Sequence, residues 1–387
     1  MDVKQIYTLI NSVSNEVLGK TDIVSEDLTG IVDLGTEIFN SSAVDNYVKS
    51  LVNHIGKVIF VNRPYSGKVP SVLMDAWEFG SVLEKISAEA PDAQENDTWN
   101  LTDGETYTQD IFYKPTVTAK FYNSKVTFEV PVSITERQVK ESFSSAAQLN
   151  GFISMIFAAV EKSMTIKADA LVMRTINNMI AETLIADADS FTDSDYSTAS
   201  TVRCVNLLKL YNDKFGTSLT LETAITTPEF IRFASYTMGV YADRMQSISS
   251  LFNVGGKARF TPADALHTVL LTDFAKAAQT YLYGDTYHSE NVLLPKAETI
   301  PAWQGTGTGY SLSDVSTINV TASSGTAVSI SGVLGVMFDR DALGVSNLDR
   351  RVTTNYNAKA EFFNNYYKFD CGYFNDTNEN FVLFYAA

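Results

Sequence analysis

Hydrophobic and polar positions change period several times along the 387 residues, and each change predicts an element. Residues 1–42 carry short apolar patches among Ser, Asn, Asp and Gly with no single period, as an irregular arm punctuated by Gly30 and Gly35 would. Ala43, Tyr47, Leu51 and Ile55 then recur at helical spacing, closed by Gly56, a residue favoured just past a helix end. Val58–Val61 reads as a short strand. Tyr65 to Ile111 is polar, acidic and rich in turns, and after it the chain alternates strictly. Val117, Ala119 and Phe121 interleave with Thr118 and Lys120. Past Asn123-Ser124, Val126, Phe128, Val130 and Val132 interleave with Thr127, Glu129 and Pro131. A period of two gives a strand with one covered and one wet face. Val58 to Val132 therefore reads as a long excursion that leaves the body and returns along a strand.

From Ile134 to about Leu184 the period is helical, and Gly151 is its only glycine. A helix over Ala146–Thr183 spans on the order of 55 Å at ~1.5 Å per residue, far beyond the average helix of ~11–12 residues. Its apolar stripe is too wide for a heptad seam, which predicts a spine packed against a body. Further helices are expected over Val202–Phe215, ended by Gly216, over Pro228–Gln246 and over Phe274–Tyr281. Thr268–Thr272 reads as a short buried strand, and Pro295–Asp314 as a loop. Val328–Phe338 is a strand broken by Gly332 and Gly335, taken as flexible joints. Arg350–Gly372 is an aromatic-rich strand pair, and Phe381–Tyr385 an apolar strand.

Composition bounds the function. With 45% hydrophobic and 12% aromatic residues, the chain can fill more than one core, since single cores stop growing near ~250–300 residues. A net charge of −16 opposes sequence-specific nucleic-acid binding. Cys204 and Cys371 form no disulfide framework and fit a reducing cytoplasm. The first residues lack a signal-peptide core. Phe152–Val160, the longest largely apolar run, is far short of the ~20 residues a membrane span needs.

Catalytic chemistry finds no pattern to stand on. There is no G-x-S-x-G, and His54, His267 and His288 have no motif around them. Asp187, Asp189, Asp193 and Asp195 crowd one loop, yet the turn glycine and twelfth-position Glu of a calcium loop are missing. Gly255-Gly256-Lys257 lacks the upstream Gly and following Ser or Thr of a phosphate loop, and Gly305, Gly307 and Gly309 sit in a Thr-rich connector. A pair of carboxylates in a cleft would leave no sequence signature. The aromatic strand Phe362, Phe363, Tyr366, Tyr367 and Phe369 is a sheet-packing surface before it is a sugar-binding face. The expectation is a protein that is no enzyme, with no catalytic residue, cofactor or metal.

The order of parts resembles one family. Arm, two-stranded excursion, long helix, mixed middle and C-terminal β-hairpin are the layout of tailed-phage major capsid proteins, the Johnson or Hong Kong 97-type fold. Leu51-Val52-Asn53-His54-Ile55-Gly56-Lys57, Phe79-Gly80, Glu84-Lys85-Ile86, Phe128–Ile134 and Arg137-Gln138-Val139 look like the capsid proteins of short-tailed phages of Gram-positive bacteria. Phe338-Asp339-Arg340-Asp341-Ala342-Leu343, Arg351–Asn357 and Gly372-Tyr373-Phe374-Asn375-Asp376 are similar to segments of many phage coat proteins.

The resemblance implies an α+β capsid fold with an N-terminal arm (1–57) and an extended β loop (58–133). A peripheral domain with the spine helix (134–205 and 345–375) and an axial domain (206–344 and 376–387) complete it. It implies a chain that self-assembles as hexamers and pentamers into the icosahedral head shell of a virion. Assembly would occur in the bacterial host cytoplasm, with a separate scaffolding protein, a portal protein and enclosed double-stranded DNA as partners, and no membrane. In the family the extended loop lies over a neighbouring subunit. An isolated two-stranded ribbon is marginal in water, so Val126, Phe128 and Val130 are expected to be covered by an adjacent subunit or by their own body. The readings competing with this one are an aromatic-faced carbohydrate-binding tail or adhesin protein and an encapsulin-like compartment shell.

Overall fold

The computed structural model describes residues 69–74, 82–91, 93–107, 110–135, 146–283, 297–304 and 309–387, with Asn11, Ser12, Ser14, Asn15, Glu16 and Gly19 near the start. The expected helix over Ala43–Ile55 and the strand at Val58–Val61 lie outside these residues, as do His54, His288, Gly305 and Gly307. The chain divides into two compact units. One comprises residues 1–64, 133–161 and 355–364; the other comprises 65–132, 162–354 and 365–387.

The larger unit is built on a five-stranded mixed sheet. Its strands are β5 (Cys204–Asn206), β6 (Leu266–Leu271), β7 (Ala297–Ile300), β10 (Val333–Asp339) and β13 (Phe381–Tyr385), in the order β5-β13-β10-β6-β7. β13 and β10 pair antiparallel, as do β10 and β6, while the outer strands β5 and β7 run parallel to their neighbours. Every residue of β10 and β13 is buried. This is why both read as continuous apolar runs rather than alternations. β7 falls inside the stretch expected to be a loop, because its residues Ala297-Glu298-Thr299-Ile300 show no strand period.

Helices cover the sheet, named here in chain order after the long helix α1 (Ala146–Ala186): α2 (Leu207–Phe215), α3 (Leu221–Ile225), α4 (Pro228–Met245) and α5 (Thr272–Tyr283). Local chemistry sets their ends. The Asn206 side chain accepts from Lys209 N at 3.0 Å to start α2, and Gly216 at φ 65° closes it in the left-handed region. Pro228 opens α4, where its missing N–H has no helical partner to lose. Phe230, Ile231, Ala234 and Met238 of α4 pack with Phe274 and Ala278 of α5 and with Leu270, Leu334 and Phe384 of the sheet.

Gly332 and Gly335 both lie close to neighbouring chain. A Cβ on Gly335, inside β10, would stand 2.6 Å from Leu270 Cδ2 and 2.9 Å from Val269 O. Gly332 has φ 78°, and a Cβ there would meet Ala386 O at 2.0 Å. Both residues permit close approach of neighbouring chain, Gly335 within β10 and Gly332 just before it.

The long helix α1 starts and ends close to its expected bounds. Over its second half Leu171, Val172, Ile176, Met179, Ile180 and Leu184 are buried, and so are the polar Thr175, Asn177 and Thr183. A helix covered on most of its sides over this stretch is a core helix, which explains the wide stripe. The two threonines return their hydroxyls to Leu171 O and Met179 O, both at 2.8 Å. Past its end Asp187 is held by Arg203 and by Thr201 Oγ1 at 2.5 Å. One member of the expected solvated acidic loop is thus a buried structural anchor.

A second, four-stranded sheet has the order β1-β11-β12-β4, from β1 (Leu73–Met74), β4 (Lys125–Thr135), β11 (Leu343–Asn357) and β12 (Phe362–Asn375). In the smaller unit the β11–β12 turn is closed by the Asn357 side chain, which accepts from the N–H of Lys359 and Ala360, and by Glu361 at φ 52°. Tyr356 and Phe363 meet there as a tilted pair with ring centroids 4.7 Å apart. Two further pairs are small hairpin-like ribbons. β8 (Ile318–Thr321) pairs with β9 (Ala327–Ile330), and β2 (Leu83–Ala88) pairs antiparallel with β3 (Val117–Tyr122).

Candidate assembly surface

The excursion is organised differently from a simple out-and-back hairpin. β3 and β4 are adjacent in sequence but do not pair: β3 lies on β2, and β4 lies on β12. β2 and β3 form a two-stranded ribbon in the register Leu83↔Tyr122, Lys85↔Lys120 and Ser87↔Thr118, with Glu84↔Phe121, Ile86↔Ala119 and Ala88↔Val117 between them. The first three pairs share one face and the second three the other.

The faces are disposed opposite to the hydrophobic expectation. Leu83, Lys85, Ser87, Thr118, Lys120 and Tyr122 are half-buried, whereas the apolar alternates are exposed: Phe121 by 66%, Ile86 by 64% and Val117 by 55%. The alternation marks two faces but does not say which lies on the body. Here the polar face does.

Charge pairing holds it there. Asp376, only 3% exposed, receives Lys85 Nζ at 2.9 Å and Lys120 Nζ at 2.8 Å. Lys85 also meets Glu379 at 2.8 Å and the Asp341 carbonyl at 3.0 Å, and Arg259 reaches Glu379 at 3.5 Å. Burial alone would push the Asp376 carboxyl up. The hydrogen bonds from Lys120 and Lys85 outweigh it and hold the group below the usual carboxylate range. Burial likewise pulls Lys85 down, and Asp376 and Glu379 more than reverse it, so this ammonium sits above its ordinary value. Tyr122 packs on Phe374 with centroids 5.2 Å apart, and the hydroxyls of Ser87 and Thr118 lie 3.0 Å apart between the strands.

Gly255-Gly256-Lys257 finds its role at the same base. Gly255 N donates to Thr377 O at 2.8 Å, a Cβ on Gly255 would overlap the Asn378 side chain, and Lys257 pairs with Glu89 just past β2. The turn-rich chain between β2 and β3 exposes Trp99, Leu101, Ile111, Phe112 and Tyr113. None of these stood out as a contact residue from sequence, although their density in an otherwise polar stretch is a readable signal.

Val126, Phe128 and Val130 are all half-buried on β4, while Lys125, Thr127 and Glu129 are exposed. Thr127 Oγ1 donates to Asp370 Oδ1 at 2.6 Å and Glu129 faces Lys368 at 3.4 Å, tying β4 to β12 on the wet side. Among the described residues β4 is an edge strand. The expected residues therefore share one face, and the chain covers them only in part.

Candidate chemistry disperses. His267 stacks on Phe338 at 5.6 Å, inside a sheet contact. Cys204 and Cys371 are free and buried, and burial pushes the Cys371 thiol up to about 12. Among the described residues no group of three or more His, Cys, Asp or Glu is placed to hold a metal, and no helix is long and apolar enough to cross a membrane.

The described chain thus combines a long helix buried over its second half, a mixed core sheet, a long β-hairpin and a charge-clamped ribbon with its apolar side outward. The fold matches the capsid structure of Staphylococcus phage Andhra with a TM-score of 0.55 at 9% identity, covering 86% of this chain and 87% of that one. It also matches a chain in the structure of head fiber and inner core protein gp22 of native bacteriophage P68, with a TM-score of 0.51 at 8% identity and the same coverage of 86% and 87%. No curated protein matches the sequence. Residues 10–385 match the Phi29-like phage major capsid protein family, and the chain belongs to that family. It is a major capsid protein of a tailed phage, a structural component of the virion shell that assembles with copies of itself. Neither the adhesin nor the encapsulin reading is favoured.

Proposed function

We propose that the outward face of the β2–β3 ribbon is the surface through which one copy engages the next in the hexamers and pentamers of the shell. The observation that carries this reading is the inversion: Phe121, Ile86 and Val117 are uncovered while two lysines on the opposite face are tucked against the body. Fully burying an apolar side chain of this size contributes roughly 1.5–3 kcal/mol. One ribbon therefore adds a modest contact, and a shell repeats it at every interface. A head-to-tail contact, in which the patch offered differs from the patch received, builds a ring when its rotation closes, and one exposed ribbon face per copy suits such a contact. Val126, Phe128 and Val130, half-covered on an edge strand, supply a second, smaller contact between copies.

The finer assignments follow from the same reading. Residues 58–133 act as the extended loop and 1–57 as the arm. Residues 134–205 with 345–375 act as the peripheral domain, and 206–344 with 376–387 as the axial domain. The resemblance of Leu51–Lys57 and Phe128–Ile134 to capsid proteins of short-tailed phages of Gram-positive bacteria suggests such a source. A scaffolding protein and a portal protein serve as partners during assembly in the host cytoplasm. The net charge of −16 suits a wall that encloses double-stranded DNA without gripping it.

The test is Val117→Asp combined with Phe121→Asp, expressed with and without scaffold and viewed by electron microscopy. The expected result is a soluble chain with an unchanged melting temperature that forms no closed particles. Closed shells at the parental yield would remove the ribbon from the assembly surface.

A further inference from the structure

The ribbon could lie on its own body by either face. Each face of β2–β3 is three residue pairs long, and the one with Phe121, Ile86 and Val117, which carries a single charge at Glu84, offers more apolar surface to cover than the one carrying Lys85 and Lys120 beside Leu83 and Tyr122. Burying two ammonium groups is unfavourable unless each meets an opposite charge. The body supplies that charge at one place. Asp376 is 3% exposed and takes both lysines, and Glu379, itself against Arg259, takes Lys85 a second time. Conversely, a buried Asp376 without the lysines would keep only the Asn378 N–H, at 3.1 Å, and no opposite charge. Each partner makes the other's position obligatory, and Lys85 stands opposite Lys120 in the register, so both act from one face.

We propose that Asp376, with Lys85 and Lys120, is the positioning device that selects which face of the ribbon is displayed, preventing the apolar face from docking on its own chain and reserving it for the next copy. This rests on the reading of that face as the assembly surface. It adds that the clamp is there for orientation rather than for stability alone. An apolar pairing at the ribbon base would hold the ribbon as well, but it would leave the two faces equivalent. Tyr122 against Phe374 shows that apolar contact is available at the same place.

The test compares the parental chain with Lys85→Met, Lys120→Met and Asp376→Asn combined, which removes the charges without leaving one buried and unpaired. Three quantities are read on the full chain: its melting temperature, the binding of a hydrophobic dye to the unassembled form, and the yield of closed particles with scaffold. The expected result is a melting temperature within a few degrees of the parent, dye binding reduced by about half as the apolar face folds down, and particle yield reduced at least tenfold. Parental dye binding with parental yield overturns the proposal. Dye binding that rises overturns it too, because it marks a ribbon that has only come loose. Should the triple variant not fold, Lys120→Met alone, which keeps Lys85 on Asp376, is expected to lower the yield severalfold, and an unchanged yield there overturns the proposal. Val117→Asp with Phe121→Asp separates the two readings. If that variant assembles normally, the assembly surface itself is wrong. If it fails while the triple variant assembles normally, only the face-selecting role falls.

Discussion

β13 and β3 are both short strands in which Phe, Tyr, Val and Ala or Leu predominate, and they end in opposite circumstances. β13, Phe381-Val382-Leu383-Phe384-Tyr385, lies between β5 and β10 with every residue buried. β3, Val117-Thr118-Ala119-Lys120-Phe121-Tyr122, has one strand neighbour among the described residues and shows Val117 and Phe121 to solvent. The difference lies in what sits between the apolar residues. An unbroken run suits a strand covered on both faces. An alternation with lysine gives the ribbon a face that can be pinned by charge, and Asp376 pins it. Apolar content alone therefore does not place a strand in the core of this protein. The charges on its other face decide.

The largest effect expected from this contrast is on β13. Phe384 is fully buried, in edge contact with Tyr241 at a centroid distance of 5.4 Å and within the main core cluster. Phe384→Ala is expected to cost about 3–5 kcal/mol, read by urea unfolding of the unassembled chain. A loss under about 1 kcal/mol would mean that the five-stranded sheet is not the stabilising centre of the larger unit.

Much of this centre is legible in the sequence because its signals are local. The runs at Phe381–Tyr385 and Thr268–Thr272, the long helical period after Ile134 and the Gly216 stop each announce an element within a few residues of themselves. The ribbon base is not legible in this way. Lys120 and Asp376 are 256 positions apart, and nothing near either one names the other. The alternation at Val117–Tyr122 reports a strand with two faces and stays silent on which is covered. The strand partners were likewise hidden: Asn123-Ser124 looks like the turn of a hairpin, yet β3 turns to β2 and β4 to β12. Val126, Phe128 and Val130 could be placed on one face from the pattern, but their half-covered state depends on that pairing. Gly335 is ambiguous for a related reason, since a glycine that lies against Leu270 across the sheet looks in sequence like one that loosens a strand.

A smaller effect should follow pH. Asp376 faces Lys85 from β2, Lys120 and Tyr122 from β3, and lies near Glu379, which Arg259 also meets. Its carboxyl titrates below the ordinary value in the folded chain. Its stabilising contribution is thus complete above the unfolded carboxylate pKa of about 3.9 and is lost as pH falls through the lower folded value. Lys85 is raised, so its share is complete below about 10.4 and is lost as pH rises through the higher folded value. Urea unfolding of the parent and of Asp376→Asn should differ by a constant amount between about pH 5 and pH 9. The gap should narrow as pH falls below about 3.9. A gap that persists at low pH would separate Asp376 from the lysines and weaken the distinction between a pinned and a free face.

The smallest effect is expected on the ribbon's outer face, and its smallness is informative. Ile86 is as apolar as Val382 but lies opposite Ala119 on the uncovered side. Serine at position 86 leaves the clamp residues untouched, since Lys85 and Ser87 project the other way. Substitutions at exposed sites away from caps, strained turns and buried networks usually fall within about ±0.5 kcal/mol. Ile86→Ser should therefore unfold at nearly the parental urea concentration. A loss above about 1.5 kcal/mol would require that Ile86 be covered within a single chain. In that event β3 and β13 would differ in degree rather than in kind, and the ribbon would have no free face to offer a neighbour.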